Sequence, residues 1–158
     1  MSKYAIVPHM RSELIRNKKA HLNYEVLKSF EAGIELLGFE VKSLRDKQGN
    51  LEGSHVTIRG GEAYLINFQI PPYQPSNTPK DYDPGRMRRL LLTKREIAEL
   101  ANSEDTKGLT IVPFSVYNKG RVIKIEVNVV RGRKKYDKRD VIKKRDTERE
   151  VRREHKVR

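Results

Sequence analysis

Apolar residues in this chain recur mostly at every second position, the period of a half-buried strand. In YEVLKSFEA, Tyr24, Val26, Phe30 and Ala32 fall on one face while Glu25, Ser29 and Glu31 fall on the other. Leu27 and Lys28 break the alternation, and the stretch is predicted as a strand. HVTIRGGEAYLINFQI predicts a hairpin. Val56 and Ile58 alternate, Gly60-Gly61 supplies a tight turn, and Tyr64, Ile66, Phe68 and Ile70 form the expected inward row. A second hairpin is predicted in LTIVPFSVYNKGRVIKIEVNVV, turning at Asn118-Lys119-Gly120, with Ile123, Ile125, Val127 and Val129 inward and Lys124, Glu126 and Asn128 outward. Pro113 in its first arm marks an edge or a bulge.

Helical spacing is rarer. TKREIAELAN has the form of a capping box, Thr93 as N-cap with Glu96 three residues on, and Ile97, Leu100 and Ala101 share a face. FEVKSLRDKQGN admits both helix and strand; Val41 and Leu44 three apart, with Gly49 as a stop, favour helix. Between Ile70 and Leu90, PPYQPSNTPKDYDPGRMRR is rich in Pro, Asn and Asp and is expected to be a long exposed loop. The fold class this predicts is mainly β: a small antiparallel barrel of the oligonucleotide-binding type with a few short flanking helices and a basic C-terminal tail.

Charge divides the chain. The 158 residues carry a formal +13. Of that excess +8 lies in residues 131–158, where 14 Lys and Arg face 6 Asp and Glu, so the first 130 residues hold only +5. We therefore expect an RNA-binding barrel with a flexible N-terminus over 1–130 and a tail over 131–158 with too few apolar residues to order itself when free. Asp140 with Lys144 and Glu148 with Arg152 stand at helical spacing, and neither Gly nor Pro interrupts from Lys134 to Arg158, so the tail is able to become helical on a partner. The excess charge points to a polyanion, nucleic acid before an anionic membrane. No apolar run approaches a membrane span or a secretory signal, and a cytoplasmic location is expected.

Candidate chemistry is sparse. There is no Cys, which excludes disulfides, thiolate zinc sites and a Cys nucleophile. His9, His21, His55 and His155 lack metal-ligand spacing, Gly60-Gly61 is used by a turn rather than a phosphate loop, and no base stands near a candidate Ser nucleophile. Glu31 could serve as an acid or base, but a lone strand carboxylate is more often a surface group or a hydrogen-bond acceptor. No catalytic residue, metal or cofactor is assigned, and a non-enzyme is expected.

Four strings carry a more specific signal: FEAGIEL with GFEVKSLR, then DPGRMRRLLLTKREI, GLTIVPFSVYNKGRVIKIEV and GRKKYDKRDVIKKRD. In order and spacing they resemble the family of SsrA-binding proteins, from Asn17 to about Arg149. Arg133, where the family usually shows Lys, and Tyr82 before Asp83-Pro84 are small departures. The resemblance implies a non-enzymatic protein of bacterial trans-translation that binds the tRNA-like domain of transfer-messenger RNA (tmRNA) and stands in for its missing anticodon stem. The implied partners are that RNA, the small ribosomal subunit and its 16S rRNA at the decoding site, the large subunit during accommodation, and elongation factor Tu on alanyl-tmRNA, with no membrane. A general RNA-binding or ribosome-associated protein of the same fold is the alternative.

By the same resemblance, Glu31, Leu91 and Lys124 match RNA-facing positions of the barrel. An outward carboxylate and ammonium suit ribose, base and phosphate groups, whereas Leu91, in the run Leu90 to Leu92, is read either as a base-stacking residue or as core. His21 matches a position near the RNA and ribosome surface. Arg45, Arg86, Arg88 and Arg89 are phosphate-contact candidates. In the tail, Tyr136, Asp137, Lys138 and Arg139 match a decoding-site motif: a ring able to stack, a helix cap and two phosphate contacts. Arg133, Lys134, Lys135, Ile142, Lys143, Lys144 and Arg145 complete the expected decoding-site and mRNA-channel segment. On a message lacking a codon, a tail that folds in the empty channel would substitute for codon pairing; a solvated basic brush is the simpler reading of the same residues.

Overall fold

The computed structural model describes residues 11–133, 139 and 142–150. Its seven strands are β1 (Arg11–Arg16), β2 (Tyr24–Ile34), β3 (His55–Arg59), β4 (Glu62–Ile66), β5 (Arg88–Leu91), β6 (Leu109–Lys119) and β7 (Val122–Gly132). They form one antiparallel sheet in the order β1-β6-β7-β2-β5-β4-β3. Three helices flank it: α1 (Lys18–Asn23), α2 (Gly38–Arg45) and α3 (Lys94–Asp105). β3, at one edge, comes back against β6, and α3 packs on both, so the sheet wraps one core. The fold is mainly β, as the alternation predicts. Residues 142–150 of the tail are helical.

The core takes one row from each strand. Ala32, Val56, Ala63, Leu65, Phe68, Ile70, Leu90, Val116, Ile125 and Val127 are among its buried members. Each large aliphatic or aromatic side chain removed from water contributes roughly 1.5–3 kcal/mol. Thr93 caps α3 as predicted, its hydroxyl accepting from the Glu96 amide at 3.2 Å while Glu96 accepts from the Thr93 amide at 3.0 Å. α3 then buries Ile97 and Leu100 against the sheet. GFEVKSLR is helical, as favoured.

Local register departs from the alternation in four places. In β4 the inward residues are Ala63 and Leu65, not Tyr64 and Ile66. The two-residue turn pairs Arg59 with Glu62, which fixes Ala63 opposite Ile58 and Leu65 opposite Val56. Asn67, at φ 64°, then turns the chain over so that Phe68 and Ile70 do point inward. In β2 a bulge between Val26 and Lys28 leaves Val26 and Leu27 both exposed, so Val26 does not join the core row. The β6–β7 turn is the two residues Gly120-Arg121 rather than Asn118-Lys119-Gly120, because Asn118 and Lys119 still pair with Ile123 and Val122 and Gly120 takes the positive φ. Finally, Asn128 is buried rather than outward: α1 covers that face, where Ala20, Val112, Phe114 and Val130 make a second small cluster. Pro113 sits at a bulge in an interior strand.

Three elements were not legible in the pattern: β1 with α1, and β5. Asn17 links the first pair: its side chain accepts from Ala20 N and donates to Pro113 O at 2.9 Å. β5 begins inside the stretch expected to be loop.

Candidate nucleic-acid interface

The sheet brings Glu31, Leu91 and Lys124 together on one outward patch. Lys124 on β7 pairs with Gly33 on β2, and Gly33 in turn pairs with Leu91 on β5, so the three positions form a row across three strands. Gly33 lies buried beneath Leu91 in the middle of that row. A Cβ there would stand 3.1 Å from the Leu91 Cβ, so glycine is what allows Leu91 to lie this close to β2. Leu91 is 48% exposed, which removes the core reading of that residue. The resulting shallow groove is also bordered by Glu31, Glu62, Arg89, Thr93 and Glu96. It offers an apolar floor, an ammonium and several carboxylates on the same face.

Glu31 is exposed, as its strand position predicts, but it is held in place. The Tyr117 hydroxyl donates to Oε2, and the Lys119 ammonium meets Oε1 at 2.8 Å. Tyr117 and Lys119 were not anticipated; they follow from β6 lying two strands from β2, which only the topology reveals. Gly33 carried a signal that was available, a glycine within an otherwise well-patterned strand.

The four candidate arginines separate into different roles. Arg88 is corrected: its side chain is 0% exposed and is consumed inside the fold. Its Nε donates to Glu40 Oε2 at 2.9 Å and its Nη1 to Phe68 O at 2.6 Å, while Nη2 reaches Glu40 and Pro84 O. No donor is presented to an external phosphate. Arg86 shares the same carboxylate, with Nη2 2.5 Å from Glu40 Oε1, but is part-exposed at 30%. Tyr82 completes the cluster, its hydroxyl donating to Glu40 Oε2 at 2.9 Å. Burial alone would push the Glu40 carboxyl up; the Arg86 hydrogen bond, the Leu37 amide and Arg88 outweigh it and hold it below its ordinary value. Burial, then Glu40, push the Tyr82 phenol up to about 12. Arg89 borders the groove and is bracketed by Glu62 at 3.0 Å and Glu35 at 2.9 Å. Arg45 is exposed on α2, where Nη2 donates to Arg121 O at 3.0 Å.

His21 lies on α1, over β6. Its ring sits 4.7 Å from that of Phe114, tilted by 59°. Burial and the Arg16 charge, with Arg145 adding to them, lower its pKa, against the opposing Glu126 and Glu13. Arg133 is anchored to the body, and Arg139, Ile142, Lys143, Lys144 and Arg145 are helical. Lys134, Lys135, Tyr136, Asp137 and Lys138 lie outside the described residues. Among the described residues no group of three His, Asp or Glu is arranged to hold a metal.

Comparison with known proteins converges on one family. An SsrA-binding protein of Elusimicrobium minutum (strain Pei191) is 49% identical over 140 residues, covering 89% of this chain and 88% of the relative. One of Persephonella marina (strain DSM 14350 / EX-H1) is 46% identical over 140 residues, covering 89% and 91%. A solved structure described as "tmRNA-SmpB: a journey to the center of the bacterial ribosome" aligns with TM-score 0.66 and 39% identity over 78% of this chain and 87% of its own. Residues 14–157 match the family described as SmpB protein, and the chain belongs to that family.

Proposed function

We propose that this chain is an RNA-binding protein of trans-translation, acting in the cytoplasm. It binds the tRNA-like domain of tmRNA and brings that RNA to ribosomes stalled on broken messages. The observation that carries the reading is the groove in which Lys124, Glu31 and Leu91 meet across β7, β2 and β5. An ammonium meets phosphate, a fixed carboxylate accepts from base or ribose donors, and an exposed leucine packs on an unstacked base, which is the mixture single-stranded or looped RNA needs. The names of the relatives, SsrA-binding proteins, and of the solved tmRNA complex agree with it. The role is binding rather than catalysis.

In the same reading the tail works on the small subunit, at the 16S rRNA of the decoding site and in the vacant mRNA channel. The large subunit and elongation factor Tu are met as the alanyl-tmRNA is accommodated. A tail that functions through helix formation in the channel depends on backbone donors as well as charge. Ile142→Pro, which keeps every charge, costs roughly 3 kcal/mol of helix stability and is expected to abolish tagging on truncated messages while leaving RNA binding intact. Tagging at the unsubstituted rate would reduce the tail to a basic brush.

The test of the main reading is capture of RNA from a bacterial lysate by the full chain, followed by sequencing. Selective enrichment of one tRNA-like species is expected. Retention of many RNAs without preference would replace the proposal with a general RNA-binding role.

A further inference from the structure

β5 turns two side chains outward onto the groove, Arg89 and Leu91, with Leu90 buried between them. The strands on either side set the neighbours of Arg89. Tyr64 of β4 pairs with it, so Glu62, two residues earlier on the same face, stands diagonally across from it. Glu35, just past the end of β2, donates its amide to Arg89 O at 3.0 Å and so lies beside it on the other flank. Both carboxylates reach the guanidinium. Nε donates to Glu62 Oε2 at 3.0 Å and Nη1 to Glu35 Oε1 at 2.9 Å.

That capture changes what Arg89 is able to bind. An arginine holds phosphate best through a fork of two parallel N–H groups, Nε with Nη2 or Nη1 with Nη2. Here each fork has one nitrogen engaged by a glutamate, and a phosphate approaching Nη2 meets two negative charges close by. The rest of the groove shares the bias. In a chain of formal charge +13, its lining carries three carboxylates, Glu31, Glu62 and Glu96, against two cations, Arg89 and Lys124. Stability does not account for the arrangement: Arg89, Glu35 and Glu62 are 41%, 52% and 37% exposed, and pairs so open to water contribute little.

We propose that Glu35 and Glu62 are specificity determinants: they withhold Arg89 from phosphate, so that a polyanion offering the groove only its backbone is held poorly. The ligands retained are those that present base or ribose donors to the carboxylates. The proposal rests on the RNA-binding reading above for the class of ligand, and adds to it what the groove turns away. Specificity is a difference between two affinities, and weakening the wrong complex raises it as surely as strengthening the right one. A chain this basic attracts any nucleic acid, so a groove that refuses bare phosphate restores the difference that net charge erodes.

The experiment uses the full chain and two probes of equal length: a single-stranded RNA of mixed sequence, and an abasic deoxyribose-phosphate oligomer that has phosphates but neither bases nor 2′-hydroxyls. In the double variant Glu35→Gln, Glu62→Gln, which keeps side-chain length and an acceptor for Arg89, affinity for the abasic oligomer is expected to rise several-fold. Its log–log salt slope is expected to steepen by about 0.7, the value of one added phosphate contact on a single strand. RNA gains less, so the preference for RNA over the abasic oligomer falls. Adding Arg89→Gln removes the gain. Asp81→Asn, Asp105→Asn makes the same change in net charge on exposed residues outside the groove and leaves the preference unchanged. A gain no larger than in this control, a gain that survives Arg89→Gln, an equal rise for both probes, or weaker binding of the abasic oligomer each overturns the proposal. If lysate capture finds no tRNA-like RNA while the double variant gains abasic affinity through Arg89, the functional reading fails and the role of Glu35 and Glu62 stands. If capture succeeds and that gain is absent, the functional reading stands and this proposal fails.

Discussion

Glu31 and Glu40 belong to the same sheet-and-helix scaffold, each gathers cations and a tyrosine, and they do opposite work. Glu40 is 0% exposed between Arg86, Arg88 and Tyr82, ties α2 to β5 and to the segment before it, and has no capacity left for a ligand. Glu31 is held by Tyr117 and Lys119 on the sheet's outer face, at the edge of an open groove. What separates scaffold from binding surface is the burial of the carboxylate itself, complete at Glu40 and 36% exposed at Glu31. In a buried cluster each charge is costly unless every neighbour stays; on an exposed face the same arrangement orients a group at small cost.

The largest expected effect comes from breaking the buried member. Glu40→Ala strands two guanidinium groups, one of them fully buried, and is expected to cost about 3–5 kcal/mol in urea unfolding. Arg88→Ala removes the donors that satisfy Phe68 O and Pro84 O as well and is expected to fall in the same range. Loss of less than about 1 kcal/mol in both variants would erase the contrast with Glu31, since that is the value of an exposed pair.

Acid sharpens the contrast next. The folded carboxyl of Glu40 lies below its ordinary 4.5. Its contribution is therefore complete above 4.5 and is lost as pH falls through the depressed folded value, where the native state must take up a proton against Arg86 and Arg88. The unfolding midpoint of the natural chain is expected to drop in that window. Glu40→Gln, lower in stability at neutral pH, is expected to lose less on acidification, and parallel pH curves would show that Glu40 does not carry the acid sensitivity.

A smaller effect tests the groove itself. Gly33→Ala sets a methyl 3.1 Å from the Leu91 Cβ, so Leu91 must shift by a few tenths of an ångström. The cost expected for such overpacking is about 1 kcal/mol or somewhat more. RNA affinity is expected to fall several-fold, because Leu91 is displaced from its seat over Gly33, whereas Gly38→Ala, which meets nothing within 4 Å, leaves it unchanged. Equal affinity in the two variants would remove Leu91 and Gly33 from the binding surface.

What could be read in advance follows from how local each determinant is. The Thr93–Glu96 box and the Gly60-Gly61 turn are set by neighbours in sequence, and both were legible. The inward face of β4 was not, because the turn register and the reversal at Asn67 decide it rather than the alternation of Tyr64, Ile66 and Phe68. The basic run Arg86, Arg88 and Arg89 is visible as charge, yet one of its members is core. That outcome depends on Glu40, 48 residues away from Arg88, and no spacing rule encodes it. The Glu31 and Lys124 strand positions were readable as outward; their union with Leu91 required β5, a strand hidden in a loop-like stretch, to lie beside β2. Tyr117 and Lys119 became partners of Glu31 only through the order of the sheet.

The smallest stability effect is the most informative about function. Lys124 lies on an outer strand position flanked by Tyr117 and Gly33, and no hydrogen bond of the core uses it. Lys124→Ala is expected to change unfolding free energy by only a few tenths of a kcal/mol, as substitutions away from caps, cavities and buried networks do. If its ammonium meets a phosphate of a tRNA-like helix, the same change weakens binding and lowers the log–log salt slope by about 0.9, the value for one phosphate contact on a duplex. Glu31→Gln, which keeps an acceptor for Tyr117 while removing the charge, separates the two possible uses of that carboxylate. Retained affinity points to acceptance from neutral base or ribose donors through a carbonyl oxygen; loss of affinity with unchanged stability points to a need for the full negative charge. Glu31→Ala removes acceptor and charge together and is expected to bind RNA more weakly than Glu31→Gln, and a ranking the other way round would leave Glu31 as a brace for Tyr117 and Lys119 alone.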